Sequence, residues 1–179
     1  MTTALLIIDV QQALCTGAEA AFDIDRVIAR INRVAEQARA AGLPIVLLQH
    51  EESHGSLRFG TQGWQLAEGL VTSPDDLRMR KSTPDSFLRT DLNQRLQEWQ
   101  ITRLLICGLQ SDYCVDTTTR RALALGYEVV LVADAHSTVD NGVLCAAQIT
   151  AHHNATLANI TSFGARAVVV PAADVRVEV

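Results

Sequence analysis

The sequence has 179 residues, 48% hydrophobic and 20% charged, with a formal net charge of −5, which is typical of a globular chain and unlike a disordered one. No run approaches the roughly 18 consecutive apolar residues of a membrane-spanning helix. No basic stripe occurs and only 4% of residues are aromatic, so neither a membrane nor nucleic acid is expected as a partner. We therefore predict a single domain over residues 1–179.

The first half of the chain opens with an apolar run at residues 4–8. No basic residue precedes the run and no small-residue cleavage site follows it, so we interpret it as a buried strand rather than a signal peptide and expect a cytoplasmic protein. Apolar residues at helical spacing then predict a helix over 23–41, with Asp23 as its N-cap and Gly42 at its end. A second buried strand is predicted at 45–48.

Residues 51–75 interrupt this alternation, because they contain several glycines and no long periodic segment. Long loops inside compact domains are often functional, so we predict a lid or specificity loop here. A weaker strand follows at 76–80, where alternating residues indicate a more exposed position. A helix near Leu92, capped by Thr90, is predicted next.

In the second half, buried strands are predicted at 104–107, 129–133 and 167–170, and helices at 112–125 and 140–162. Short apolar runs without alternation suit strands that are covered on both faces, as in a parallel sheet. Strands that alternate with helices predict right-handed crossovers and helices on both sides of the sheet. The predicted fold class is therefore α/β, a three-layer αβα sandwich with a mostly parallel, Rossmann-like sheet.

Polar and reactive residues follow directly after the predicted strands. Asp9 follows the first strand, His50 the second, Lys81 the weak third, and the segment 108–114 the fourth. Because the carboxyl ends of parallel strands meet at one edge of the sheet, where ligands bind, we expect these side chains to converge.

The four cysteines contain no C-x-x-C pair and are predicted to be free thiols. Cys107 and Cys145 lie in apolar stretches and are expected to be buried and inert. Cys114 follows a turn at the predicted start of a helix, where the helix dipole and a nearby Lys81 ammonium favour the thiolate. Asp9 can take the thiol proton and later deliver it to a leaving nitrogen, as amide cleavage requires.

Three stretches, at residues 9–11, 81–87 and 108–118, carry a resemblance to a known family. In this order and spacing they resemble the signatures of the isochorismatase-like cysteine hydrolases. The resemblance implies a six-stranded sheet, an Asp–Lys–Cys triad of Asp9, Lys81 and Cys114, and no cofactor.

The same resemblance implies a non-proline cis peptide bond between Leu109 and Gln110. It also implies an oxyanion hole formed by the backbone N–H groups of Gln110 and Cys114. Because members of this family commonly assemble, a homo-oligomer, either a dimer or a tetramer, is expected.

Four residues are predicted to contact the substrate: Gln11, His50, Trp64 and Tyr113. For the last three, a purely structural role at a strand end or in packing is the alternative. The spacing of His50 and His54 suits a metal pair on a helix, but Gly55 argues against a helix there, and we predict no metal site.

The leading hypothesis is a hydrolase that cleaves a C–N bond of a small amide, lactam or carbamoyl compound through a thioester on Cys114. The alternative is a redox-sensing or small-molecule-binding protein of the same fold, in which Cys114 responds to oxidants. A third hypothesis is an inactive scaffold whose pocket supports oligomer contacts. Asp9 and Lys81 favour the enzyme, because sensing needs no proton shuttle. The expected partner is a small-molecule substrate, whose identity the sequence leaves open.

Overall fold

The predicted strands form one sheet in the computed structural model, which describes residues 2–177. Their bounds are β1 Thr3–Ile8, β2 Ile45–His50, β3 Leu77–Lys81, β4 Arg103–Leu109, β5 Glu128–Ser137 and β6 Ala167–Val170. The six strands lie in the order β3-β2-β1-β4-β5-β6, and every neighbouring pair is parallel. The predicted α/β class and six-stranded sheet are confirmed.

The helices cover both faces of this sheet. Their bounds are α1 Gln12–Cys15, α2 Ile24–Ala40, α3 Leu92–Glu98, α4 Asp116–Ala124 and α5 Ala146–Ala158. Successive strand residues point to opposite faces, so β1 supplies Leu5 to one core and Leu6 to the other. The first core is closed by α2 and the second by α3, α4 and α5, which confirms the three-layer sandwich. Within residues 2–177, no helix has the length and apolar character needed to cross a membrane.

The start of α5 differs from the prediction, and α2 begins after Asp23 as predicted but without the expected side-chain cap. The helix expected at 140–162 begins only at Ala146, whose N–H donates to the carboxylate of Asp140 over 2.8 Å. Asp23 precedes α2 in a left-handed conformation, with φ of 54°, and its carboxylate does not cap the helix. It lies instead 3.8 Å from the guanidinium of Arg26. Both errors arise because short-range propensity does not specify which polar group an acidic side chain contacts.

The long loop between β2 and β3 is confirmed, since residues 51–75 contain no helix or strand. An isolated bridge between Gln11 and Leu66 attaches the loop to the segment after β1. The guanidinium of Arg80 lies 4.0 Å from the centre of the Phe59 ring and pairs with Glu51 at 2.7 Å. The loop is therefore ordered over the carboxyl edge of the sheet.

Candidate active site

The carboxyl ends of β1, β3 and β4 bring the predicted reactive residues to one edge of the sheet. Gly108 in β4 pairs with Ile8, the residue before Asp9. A Cβ atom added to Gly108 would lie 2.1 Å from the carbonyl oxygen of Ile8, and its φ is +117°. Only glycine permits this approach, and it holds the segment that leads to Cys114 against the end of β1.

Asp9 and Lys81 form a buried ion pair. Their Oδ2 and Nζ atoms lie 2.6 Å apart, and the two side chains are 1% and 0% exposed. Nζ also lies 3.2 Å from the carbonyl oxygen of Thr83 and 3.5 Å from Nδ1 of His50, so the ammonium has three partners. Within the described residues, Oδ1 of Asp9 has none. An unpaired buried acceptor is costly, so this oxygen marks a place where a further donor belongs.

Cys114 lies beside this pair. It belongs to a π-helical turn, Ser111–Val115, and is 8% exposed. The sulfur, a carboxylate oxygen of Asp9 and a ring nitrogen of His50 all lie within 4.8 Å of one another. The structure therefore brings the predicted carboxylate, amine and thiol to one small volume.

The prediction that Lys81 lowers the pKa of Cys114 has the right direction, but burial and Asp9 outweigh it. Burial, followed by the negative charge of Asp9, raises the pKa of the Cys114 thiol to about 12, although the charge of Lys81 lowers it. The expected dipole effect relied on a helix that starts with ordinary geometry, whereas Cys114 lies within the π-turn that precedes α4. Burial and the neighbouring carboxylate thus disfavour the Cys114 thiolate in the free protein.

The two residues predicted to form an oxyanion hole lie at the π-turn, with Gln110 directly before it and Cys114 within it. The peptide bond between Leu109 and Gln110 is cis, as the resemblance implied. The carbonyl of Gln110 accepts hydrogen bonds of 3.1 Å from the N–H groups of Tyr113 and Val115. Among residues 2–177, the N–H of Gln110 itself has no backbone acceptor, which leaves it available to a ligand.

Gln11 is a correction to the predicted substrate contacts. Its side chain is fully buried, and its Oε1 accepts from the His50 N–H over 2.8 Å. Its Nε2 donates to the carbonyl oxygens of His50 and Trp64, both at 2.9 Å. Because both donors of the amide are used in fixing the long loop to β2, Gln11 supports the site rather than contacting a ligand.

The other three predicted contacts differ in where they lie. His50 is half-buried, and burial, followed by the charge of Lys81, lowers the pKa of its ring. The indole of Trp64 packs edge-on against Phe59, with ring centres 4.8 Å apart. Tyr113 is 54% exposed and directly precedes Cys114. Of these residues, only His50 is placed within the Cys114 cluster itself.

A second polar cluster lies behind the π-turn. Its histidine, His136, follows the fifth predicted strand and was expected at this edge of the sheet, whereas its hydrogen-bond partners were not predicted. Oγ of Ser111 lies 2.8 Å from Nδ1 of His136, and Nε2 of His136 lies 2.9 Å from Oδ1 of Asn154. Because the Asn154 oxygen only accepts, Nε2 carries the ring proton and Nδ1 accepts from the Ser111 hydroxyl. Burial lowers the pKa of His136 to about 4. The motif spacing gave no signal for this cluster, whose members lie on β5, α5 and the π-turn.

This chain is similar in sequence to known proteins of one family. The Isochorismatase domain model matches residues 3–171. The chain is similar to streptothricin hydrolase of Streptomyces noursei, at 40% identity over 76% of this chain and 55% of the relative. It is also similar to ureidoacrylate amidohydrolase RutB of Methylobacterium radiotolerans, at 28% identity over 90% of this chain and 74% of the relative.

A solved structure supports the same likeness. The crystal structure of an isochorismatase family protein superposes with a TM-score of 0.86 at 37% identity, covering 94% of this chain and 98% of that chain. The chain spans about half the length of the streptothricin hydrolases that it matches, 55% and 50% of the two.

Proposed function

This chain belongs to the isochorismatase family, and on that premise we propose that it is a cysteine hydrolase acting on a C–N bond of a small amide, lactam or carbamoyl compound. The observation that carries this proposal is the buried Asp9–Lys81 pair, in which Asp9 Oδ1 has no hydrogen-bond partner among residues 2–177, with the sulfur of Cys114 in the same cluster. One relative is named an amidohydrolase and another a streptothricin hydrolase, names that fit this class of reaction.

The first chemical step starts from the neutral thiol. Asp9 takes the proton from Sγ of Cys114 as the sulfur attacks the substrate carbonyl carbon, and a C–S bond forms. Because the thiol pKa is raised to about 12, proton transfer accompanies the attack rather than preceding it. The ammonium of Lys81 stabilises the negative charge that develops on the sulfur.

The attack places a negative charge on the former carbonyl oxygen. The N–H groups of Gln110 and Cys114 are proposed to hold this oxyanion, since the Gln110 N–H has no backbone acceptor among the described residues. Asp9 then returns its proton to the substrate nitrogen, the C–N bond breaks and the amine leaves. The acyl group remains on Cys114 as a thioester.

Water completes the reaction. Asp9 is again a carboxylate. It takes a proton from a water molecule while the oxygen of that water attacks the thioester carbon. The C–S bond breaks, the sulfur regains the proton and the acid leaves. Each turn therefore consumes one water and needs no cofactor from outside the chain.

A cavity beside Gln110 suits a small substrate. It has a volume of about 690 Å³ and is lined by Gln110, by Ser56 of the long loop and by Leu14 of α1. Among the described residues, Gln110 is the predicted site residue that borders it, and Asp9, Lys81 and Cys114 do not. Pockets for small molecules typically measure about 300–1,000 Å³. Substrate choice is therefore assigned to the long loop and α1, while Trp64 and Tyr113 remain proposed contacts.

The redox alternative is disfavoured by the same geometry. Cysteines that sense oxidants are accessible and have a low pKa. Cys114 is 8% exposed and its pKa is raised to about 12. A sensor would also make no use of the buried ion pair.

The proposed working form is one domain over residues 1–179 that assembles as a homo-oligomer, either a dimer or a tetramer. Both apolar cores pack on a single sheet, which supports the single domain. Light scattering coupled to size-exclusion chromatography would test the assembly. The cytoplasmic location stays a prediction.

The experiment is a hydrolysis screen of small amides, lactams, ureas and carbamoyl compounds. We expect turnover by the wild type and by Cys145→Ala, whose residue is exposed and outside the site, and none by Cys114→Ala. Intact-mass spectra with a slow substrate should show an acyl adduct on Cys114. Full turnover by Cys114→Ala, without an adduct in the wild type, would overturn the proposal.

A further inference from the structure

The Cys114 cluster contains three kinds of metal ligand. A carboxylate oxygen of Asp9, a ring nitrogen of His50 and the sulfur of Cys114 come from β1, β2 and the π-turn, yet lie within 4.8 Å of one another. Carboxylate, imidazole and thiolate are the three side-chain ligands that Zn²⁺ accepts. We propose that this cluster binds one thiophilic divalent cation, Zn²⁺, and that the bound ion inhibits the enzyme.

The carboxylate has a free oxygen for the ion. Oδ2 of Asp9 is held by Lys81 at 2.6 Å, whereas Oδ1 has no hydrogen-bond partner among residues 2–177. Asp9 is 1% exposed, so water does not satisfy this oxygen from the surface. One carboxylate can thus bridge the ammonium and a metal ion, with Lys81 as the outer partner that orients the ligand.

The local charges also favour a dication. When Cys114 releases its proton to the buffer and binds the ion as a thiolate, it and Asp9 carry two negative charges against the single positive charge of Lys81. A net negative charge remains for Zn²⁺. The ammonium lies 3.5 Å from Nδ1 of His50. For Nε2 to bind the ion, the ring must carry its proton on Nδ1, and the ammonium then donates only to Asp9 and Thr83.

The distances fit a zinc site after a small closure. Bonds from Zn²⁺ to sulfur, nitrogen and oxygen measure about 2.0–2.3 Å, so tetrahedral ligands lie about 3.3–3.8 Å apart. From their limit of 4.8 Å, the separations between the three groups therefore need to shorten by at most about 1.5 Å. Three protein ligands leave a fourth position for water.

This site differs from the pair considered in the sequence. The prediction of no metal site rested on His50 and His54, which are neighbours along the chain. His54 is exposed and its ring contacts Ser53. The proposed ligands are 41 and 64 residues apart, a set that only the fold brings together.

The binding rests on geometry alone, whereas the inhibition rests on the proposed function. The ion would hold the sulfur that attacks the substrate and the carboxylate that moves its proton. Hydrolysis should therefore stop when Zn²⁺ is bound and return when a chelator removes it.

The test is a titration of chelator-treated protein with Co²⁺, followed by displacement with Zn²⁺. We expect one Co²⁺ per chain and a near-ultraviolet charge-transfer band from the Cys114 thiolate to the metal. Cys114→Ser should abolish the band, and His50→Ala and His50→Gln should weaken binding roughly tenfold or more. Cys145→Ser and His54→Ala, which change an exposed thiol and an exposed imidazole, should bind as the wild type does.

Binding and turnover separate the two proposals. A cobalt–sulfur band that follows Cys114 supports the metal site even if no substrate is hydrolysed. The site is overturned if Co²⁺ gives no sulfur band, if the band follows Cys145, or if both His50 variants bind as tightly as the wild type. Circular dichroism of each variant verifies that the fold is kept.

Discussion

Two buried polar clusters meet at the π-turn Ser111–Val115 and differ in how well their groups are satisfied. The reactive cluster comprises Asp9, His50, Lys81 and Cys114, and it holds an ion pair and a carboxylate oxygen without a partner among the described residues. The support cluster comprises Ser111, His136, Thr150 and Asn154, and both ring nitrogens of its histidine have hydrogen-bond partners.

This difference in hydrogen bonding indicates which cluster takes part in the proposed reaction. Buried polar groups normally find partners, and a fully paired network makes a segment rigid. The support cluster holds Ser111, the first residue of the turn that carries Cys114. The reactive cluster keeps an unpaired acceptor beside a thiol, which is what a proton transfer needs. We therefore propose that the support cluster positions the sulfur of Cys114 and that the reactive cluster carries out the proton transfer to and from it.

Between the two clusters, Asp9→Asn should cause a far larger loss of activity than Ser111→Ala. The amide keeps the shape of the side chain but cannot take the thiol proton, and general acid–base groups contribute about 10²–10⁴-fold to rates. We expect kcat/KM to fall by about that factor with any substrate found in the screen. Ser111→Ala, in the support cluster, should reduce kcat/KM far less.

Steady-state kinetics on both variants, with melting curves to verify folding, would measure this contrast. If Ser111→Ala lost as much activity as Asp9→Asn while remaining folded, the division between reacting and positioning clusters would be wrong.

Lys81→Met should cause the largest loss of stability. It leaves the Asp9 carboxylate buried without its counter-ion, and breaking a buried pair from one side costs about 3–5 kcal/mol. The double variant Asp9→Asn/Lys81→Met should regain much of that free energy of unfolding, because it removes both charges. Urea denaturation of the two variants measures the difference, and equal stabilities would show that the pair is not electrostatically coupled.

The sequence predicted the sheet and the reactive cluster well, for a physical reason. Unbroken apolar runs such as 4–8 and 104–107 indicate strands covered on both faces, and parallel strands place the residues that follow them at one edge. Asp9 and Lys81 could therefore be placed together although they are 72 residues apart. The cis peptide before Gln110 came only from the resemblance.

The parts that failed depend on hydrogen bonds across the fold. Ser111 and His136 are separated by 25 residues, and no periodic pattern indicates that they meet. Gln11 was predicted to contact the substrate, but its amide bonds to the carbonyl oxygens of His50 and Trp64. The sequence does not show these bonds, because they depend on where the loop lies. Cys145 was predicted to be buried and is exposed, because α5 begins one residue after it.

The support cluster should make stability depend on pH through His136. Its pKa is about 4 in the folded protein against an ordinary 6.5, so the unfolded chain binds a proton that the folded chain does not. This contribution is complete above pH 6.5, is lost as pH falls, and stops changing below about pH 4. It amounts to about 3 kcal/mol.

His136→Gln should remove that part of the pH dependence, whereas His152→Gln, at an exposed histidine, should keep it. Urea unfolding at pH 7, 5.5 and 4 measures the slopes of all three proteins. Parallel curves for the wild type and His136→Gln would show that the buried ring does not titrate with unfolding.

The reactivity of the thiols also separates the reactive cluster from the surface. Because burial and Asp9 raise the pKa of Cys114 to about 12, its alkylation by iodoacetamide should rise about tenfold per pH unit from pH 6 to pH 10 without levelling. Peptide mass spectrometry on Cys145→Ser reports the modification of Cys114 without the exposed thiol.

Asp9→Asn provides the matched control for that measurement. Removing the negative charge beside the sulfur takes away a cause of the raised pKa and leaves Lys81, which lowers it. Alkylation of Cys114 in Asp9→Asn should therefore be faster at each pH, even though hydrolysis is slower. A plateau below pH 9 in the Asp9-containing protein would instead mean that the π-turn favours the thiolate, as a helix start would, and that the attack does not begin from a neutral thiol.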